Sequence, residues 1–244
     1  MPENISENEM NNTKAWAIIS TVAVAIAVII AGTMFFFGIT VGQNGVDREV
    51  LAELPEPEED QQSELKVDKN INEKTIDKYL GRSDAVYWDL RMLEDPGDYE
   101  NIGGDSYLSG LIKGFQVVSF PYIAAADLPE SVGEGYTGPT LFTLQSDGSL
   151  KANYQESIRI IEDLFPKDKL IFLMCGGGGY ARAMKKVLVA LGWNEKKIYN
   201  VGGYWNYDGE NKVEIKETMN GKTVYAFWKV PYHEIDFKKL TLKN

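Results

Sequence analysis

The chain's single cysteine, Cys175, is followed by four glycines, Gly176 to Gly179, and then by Tyr180, Ala181 and Arg182. A thiol attacks as its thiolate, so the chemistry available to this stretch depends on what lowers the cost of a negative sulfur. Glycines lack Cβ atoms and can turn successive N–H groups toward one point, forming a nest for a thiolate, a persulfide or a bound oxyanion. Arg182, Lys185 and Lys186 add positive charge just beyond it. One cysteine and one histidine, His233, are too few for a zinc site or a Cys-His-Asn triad, and no metal or cofactor is expected. The residues therefore point to nucleophilic sulfur chemistry carried by Cys175 alone.

Such a loop needs a strand to deliver it and a helix to receive it. Leu170 to Met174 is an uninterrupted apolar run, the pattern of a strand buried on both faces. Beyond the glycines, Ala181, Met184, Val187, Leu188 and Leu191 share one side of a 3.6-residue period, and Gly192 stops it. Cys175 is thus expected at the carboxyl end of a central strand and at a helix N-terminus, whose unpaired N–H groups favour an anion. Gly176 to Ala181 also fits the nucleotide-binding pattern G-x-G-x-x-A, but no acidic residue stands at the required distance downstream.

The order Cys175, two residues, Gly178, two residues, helix resembles the active-site loop of the rhodanese family of sulfurtransferases. Ala85 to Arg91 (AVYWDLR) is similar to that family's strand ending in Asp-x-Arg, Leu111 to Pro121 to its following strand segment, and Ile198 to Gly203 (IYNVGG) to the strand and double glycine after the catalytic helix. The chain departs from the family at Leu111, Phe115, Tyr180 and Tyr207. The resemblance implies an α/β, three-layer fold with a mainly parallel central sheet. It also implies sulfur transfer from a donor such as thiosulfate or a persulfide to a thiol or cyanide acceptor, through a persulfide on Cys175. Gly176, Gly177, Gly178, Gly179, Tyr180 and Arg182 would form the anion-binding loop, with Asp89 and Arg91 as supports that do not touch substrate. A catalytically silent binding or thiol-sensing domain is the alternative.

Residues 1–14 form a short polar tail. From Ala15 to Gly38 the chain is apolar or small, and no charge occurs between Lys14 and Asp47. A helix over this run would span about 36 Å, enough to cross a hydrocarbon core of roughly 30 Å. Residues 15–41 therefore read as an uncleaved single transmembrane helix, because the run is too long for a signal peptide and its small residues lie inside it. With Lys14 and Arg48 nearly balancing, the positive-inside rule gives little; the short leading tail places the carboxyl-terminal domain outside the cytoplasm.

Residues 42–70, with Pro55, Pro57 and the run Glu58, Glu59 and Asp60, read as an acidic linker. Of the net charge of −11, −2 falls in residues 1–14, −6 in residues 42–70 and −3 after Asn70. The domain over 71–244 is close to neutral and offers no basic face for nucleic acid. Within it a helix over Glu73–Leu80, capped by Asn72, precedes the strand Ala85–Leu90, and a second strand covers Phe115–Phe120 and ends at Pro121. An insertion at about 122–152 contains a hairpin around Asp147-Gly148. Asn153 and Glu156 form a capping-box pattern for a helix that turns Ile158, Ile161 and Phe165 inward. A carboxyl-terminal hairpin at 211–231 turns at Asn220-Gly221 and extends the sheet or covers a face.

Overall fold

The computed structural model describes residues 54–91, 110–125, 136, 138–219, 221–226, 229–230 and 233–243. The apolar span at 15–41 lies outside the described residues, as do the loop residues 92–109. Among the described residues no helix is long and apolar enough to cross a membrane.

The strands in chain order are β1 (Ala85–Asp89), β2 (Gly110–Ile112), β3 (Gln116–Val117), β4 (Ala124–Ala125), β5 (Phe142–Leu144), β6 (Leu150–Ala152), β7 (Leu170–Cys175), β8 (Ile198–Gly203), β9 (Lys212–Glu214), β10 (Lys216–Met219) and β11 (Lys222–Tyr225). The helices are α1 (Phe120–Ile123), α2 (Ser157–Leu164) and α3 (Gly179–Ala190). The central sheet has the order β3-β1-β7-β8, and all three pairings are parallel. The protein is therefore a mixed α/β structure with β7 inside the sheet, covered on both faces.

Alternation along the strands divides the core in two. Trp88, Ile171, Leu173 and Cys175 join Ile161 and Leu164 of α2 and Ala181, Met184, Val187 and Leu188 of α3 on one face. Tyr87, Phe172, Met174 and Tyr199 line the other, where Tyr87, Phe172 and Tyr199 stack in a row at centroid distances of 5.0 and 4.9 Å. A 3-10 turn at Ile76–Tyr79 and the aromatic residues Tyr204 and Tyr207 cover that second face. The helix expected over Glu73–Leu80 is reduced to this turn, because the Asn72 side-chain oxygen accepts from Lys74 N and the Thr75 hydroxyl donates to Asn70 O.

The acidic stretch is the largest departure. From Leu54 onward it is folded, and the linker expected over 42–70 is corrected for residues 54–70. Glu58 to Lys69 form a tight hairpin, with Glu59 bridging Asp68 and the buried Asp68 carboxylate accepting from the amides of Glu58, Asn70 and Ile71. Asp68 N donates to Asn200 O, and the Tyr199 hydroxyl donates to Pro55 O. Hydrogen bonds pin this segment, and only a few apolar residues such as Leu54, Leu65 and Val67 pack with them, so its composition gave no sign of order.

Pro121 begins α1 within its first turn and does not end a strand, which its fixed φ permits, so the strand expected over Phe115–Phe120 shrinks to β3. The inserted hairpin forms as β5 and β6, turning through Gly148, and β4 adds to it in parallel. No capping box forms. Asn153 bonds Thr140 and Thr143, Glu156 accepts from Thr241 N, and Ile158 is exposed. In the carboxyl-terminal region β10 and β11 form the expected two-residue hairpin, while β9 pairs with β2; neither joins the central sheet. His233 donates its backbone N–H to Val117 O and sets its ring edge-on to Trp88.

Candidate active site

β7 ends at Cys175 with β1 on one side and β8 on the other. An irregularity between Leu173 and Met174 shifts the β8 register, so that Gly202 and Gly203 lie beside Met174 and Cys175. This brings β8 directly against the glycine loop. A Cβ on Gly203 would stand 2.0 Å from Gly176 O and 2.5 Å from Gly177 Cα, so the second residue of the double glycine admits no side chain. Gly178 takes φ of 106°, the left-handed region that favours glycine, and its carbonyl receives Arg182 N at 2.9 Å to start α3. Trp205 N donates to Gly176 O at 3.0 Å, and its ring lies over Gly176 with 43 % of its surface exposed.

The sulfur accepts the Gly178 amide at 3.0 Å. The amides of Tyr180 and Ala181 also favour its charged form. Of the expected loop residues, Gly178 donates to the sulfur and the Tyr180 amide favours its charged form. Ala181, whose amide also favours the charged sulfur, was missed in the sequence, while Gly176 and Gly177 provide close packing against Gly203 and Trp205. The first-turn N–H groups that every helix leaves unpaired were the available signal for Ala181.

Burial works against these amides. Cys175 is 3 % exposed and belongs to the core face that holds Phe120 and Ala181. Tyr180 stacks on Phe120 with centroids 5.5 Å apart. Burial pushes the Cys175 thiol above its ordinary range, the loop amides pull it back in part, and the Asp89 carboxylate adds to the rise. The helix N-terminus was expected to favour an anion, but the sulfur is covered and burial favours its thiol form, with the Gly178 amide donating to it.

Asp89 and Arg91 hold each other. The Arg91 side chain donates from Nε and Nη2 to the Asp89 carboxylate at 2.9 and 2.5 Å, and Nη2 also donates to Gly110 O at 2.6 Å. The guanidinium lies 4.4 Å from the Tyr204 ring centroid, just after Gly203. The pair thus braces the exit of β8, on which the loop rests. Asp89 is fully buried, so Arg91→Met leaves an uncompensated carboxylate and is expected to cost about 3 kcal/mol of stability, measured by urea unfolding.

Arg182 turns away from the sulfur toward the Glu58–Lys69 hairpin, where Nη1 donates to Glu64 O at 3.2 Å. That hairpin packs under the loop, so that a Cβ on Gly177 or Gly179 would meet Leu65 and one on Gly178 would meet Val67. Glu73 was also missed. Its carboxyl lies against Gly202 with Oε2 buried and without a partner, and burial raises its pKa. A cleft of about 370 Å³ beside it is bordered by Glu64, Leu65, Gly177 and Asn206. Among the described residues no group of three or more His, Cys, Asp or Glu side chains could hold a metal ion.

Comparison of the chain with family models, with curated proteins and with solved structures returned no match.

Proposed function

We propose that the protein is a sulfurtransferase of rhodanese type, with Cys175 as its nucleophile. The observation that carries this reading is the Gly178 amide donating to one sulfur at 3.0 Å, at the junction of a central parallel strand and a helix whose first amides favour the charged form of that sulfur. The mainly parallel central sheet and the resemblance of Asp89, Arg91 and the Gly202-Gly203 pair to the family's motifs support the same reading.

The Cys175 thiolate attacks the outer sulfur of thiosulfate. A bond forms between the two sulfurs, the bond to the sulfonate breaks, and sulfite leaves with the electron pair. The terminal sulfur of the resulting persulfide carries the negative charge that the loop amides stabilise. Cyanide or a thiolate then attacks that outer sulfur and restores the Cys175 thiolate, giving two half-reactions and ping-pong kinetics. The decisive test is the intact mass of the full chain after incubation with thiosulfate. A gain of one sulfur atom, lost again on adding cyanide, supports the reading; an unchanged mass overturns it.

The raised thiol gives a second check. Only the ionised sulfur attacks, and burial postpones ionisation to higher pH. The single-turnover rate of persulfide formation is expected to keep rising with pH through and beyond the ordinary thiol range. A plateau below neutrality would contradict the buried, proton-holding resting state.

The 3 % exposure of Cys175 favours a second reading, in which a rhodanese-like domain binds a partner or senses thiols without turnover. Both readings place the domain at a membrane through residues 15–41, on the extracytoplasmic side, with no nucleic-acid partner. Persulfide formation separates them.

A further inference from the structure

A second cleft, of about 250 Å³, opens between α3 and the Glu58–Lys69 hairpin. Four cations line it, Lys66, Arg182, Lys185 and Lys186, against two carboxylates, Glu59 and Glu195. That excess of positive charge stands out in a chain with 36 acidic and 25 basic residues.

Three observations indicate a built site. Lys66 is the one non-glycine residue with positive φ among those described, at 55°. Its conformation is fixed on both sides, since its N–H donates to Ser63 O at 3.1 Å and the buried Asn200 amide donates to the Leu65 and Lys66 carbonyls at 2.9 and 3.1 Å. Backbone held in a sparsely populated region by surrounding hydrogen bonds is a mark of functional positions. Lys185 is only 9 % exposed, and the contact of its ammonium is to Glu195 at 3.5 Å, a carboxylate whose side chain is 62 % exposed. The buried Asp68 carboxylate also feels its charge, so Lys185 is held at the wall of the cleft between two acidic groups. Lys186 stands at the same wall with no ion pair among the described residues.

The geometry points to a binding site for a small phosphate-bearing dianion, held by Lys66, Lys185 and Lys186 with Arg182 at the rim. One arm of the Arg182 fork is committed to the Glu64 carbonyl. A planar carboxylate would ask for a free guanidinium fork, whereas lysines act as point charges suited to phosphate. The volume admits a phosphate group together with a small organic substituent. The site is separate from the Cys175 loop and does not depend on sulfur transfer.

The test is calorimetric titration of the purified full chain with inorganic phosphate and, separately, with glycerol phosphate. Saturable binding that weakens with added salt is expected, with Lys66→Gln and Lys186→Gln each reducing affinity about tenfold. Equal affinities indicate a site for the free anion; tighter binding of glycerol phosphate indicates a phosphate ester. Lys66→Gly relieves the backbone and is expected to raise Tm while still losing affinity, which a purely structural lysine would not do. Absence of saturable binding overturns the proposal. Binding unchanged in the Lys66→Gln/Lys186→Gln protein would put the anion at the Cys175 loop and overturn it equally.

Discussion

The Cys175→Ser protein is expected to take up no sulfur from thiosulfate and to release no thiocyanate in the presence of cyanide, while remaining folded. The hydroxyl is smaller than the thiol and can still accept the Gly178 amide, so the loop keeps its central acceptor. It cannot form the sulfur–sulfur bond, and with one cysteine in the chain no other residue can replace it. Loss of activity together with an unchanged unfolding transition assigns the chemistry to the sulfur itself. Sulfur transfer retained in this variant would remove Cys175 from the mechanism.

The Gly203→Ala protein is expected to lose about 4 kcal/mol of stability or more, and with it the loop. The added methyl would stand 2.0 Å from Gly176 O and 2.5 Å from Gly177 Cα, both backbone atoms that cannot swing aside as a side chain does. Either β8 separates from β7 or the glycine loop moves off the sulfur. Gly192→Ala provides the contrast. Its φ of 95° is also unfavourable for alanine, but no atom lies within 4 Å of the new methyl, so about 1 kcal/mol is expected. Thermal unfolding of the two variants side by side measures the difference. Comparable losses would show that β8 is not packed against the loop as described.

The sequence carried the parts of this fold that rest on hydrophobic pattern. Leu170–Cys175 and the apolar face of α3 were legible because burial on the sheet enforces them, and the turns at Gly148, Gly192 and Gly221 because each residue takes a positive φ that glycine tolerates. The order of motifs brought Asp89, Arg91 and Cys175 to neighbouring strand ends. What stayed hidden was polar and non-local. The carboxyl of Asp68 gathers three amides, and Asn200 links β8 to carbonyls far back in the chain. Neither leaves a periodic trace. The state of the sulfur was misjudged for a related reason: a helix N-terminus and glycines are visible in one line of residues, but the cover over Cys175 comes from chain segments distant in sequence.

The Glu58–Lys69 hairpin fixes where the folded unit can be cut. Hydropathy invites a fragment that begins at Ile71, yet such a fragment would strip the carbonyl partners from the Asn200 side chain, the Tyr199 hydroxyl and the Arg182 guanidinium, and uncover Gly177 to Gly179 from beneath. The amino-terminal boundary of the stable body is therefore set by acidic, proline-bearing residues that ordinary trimming would discard first.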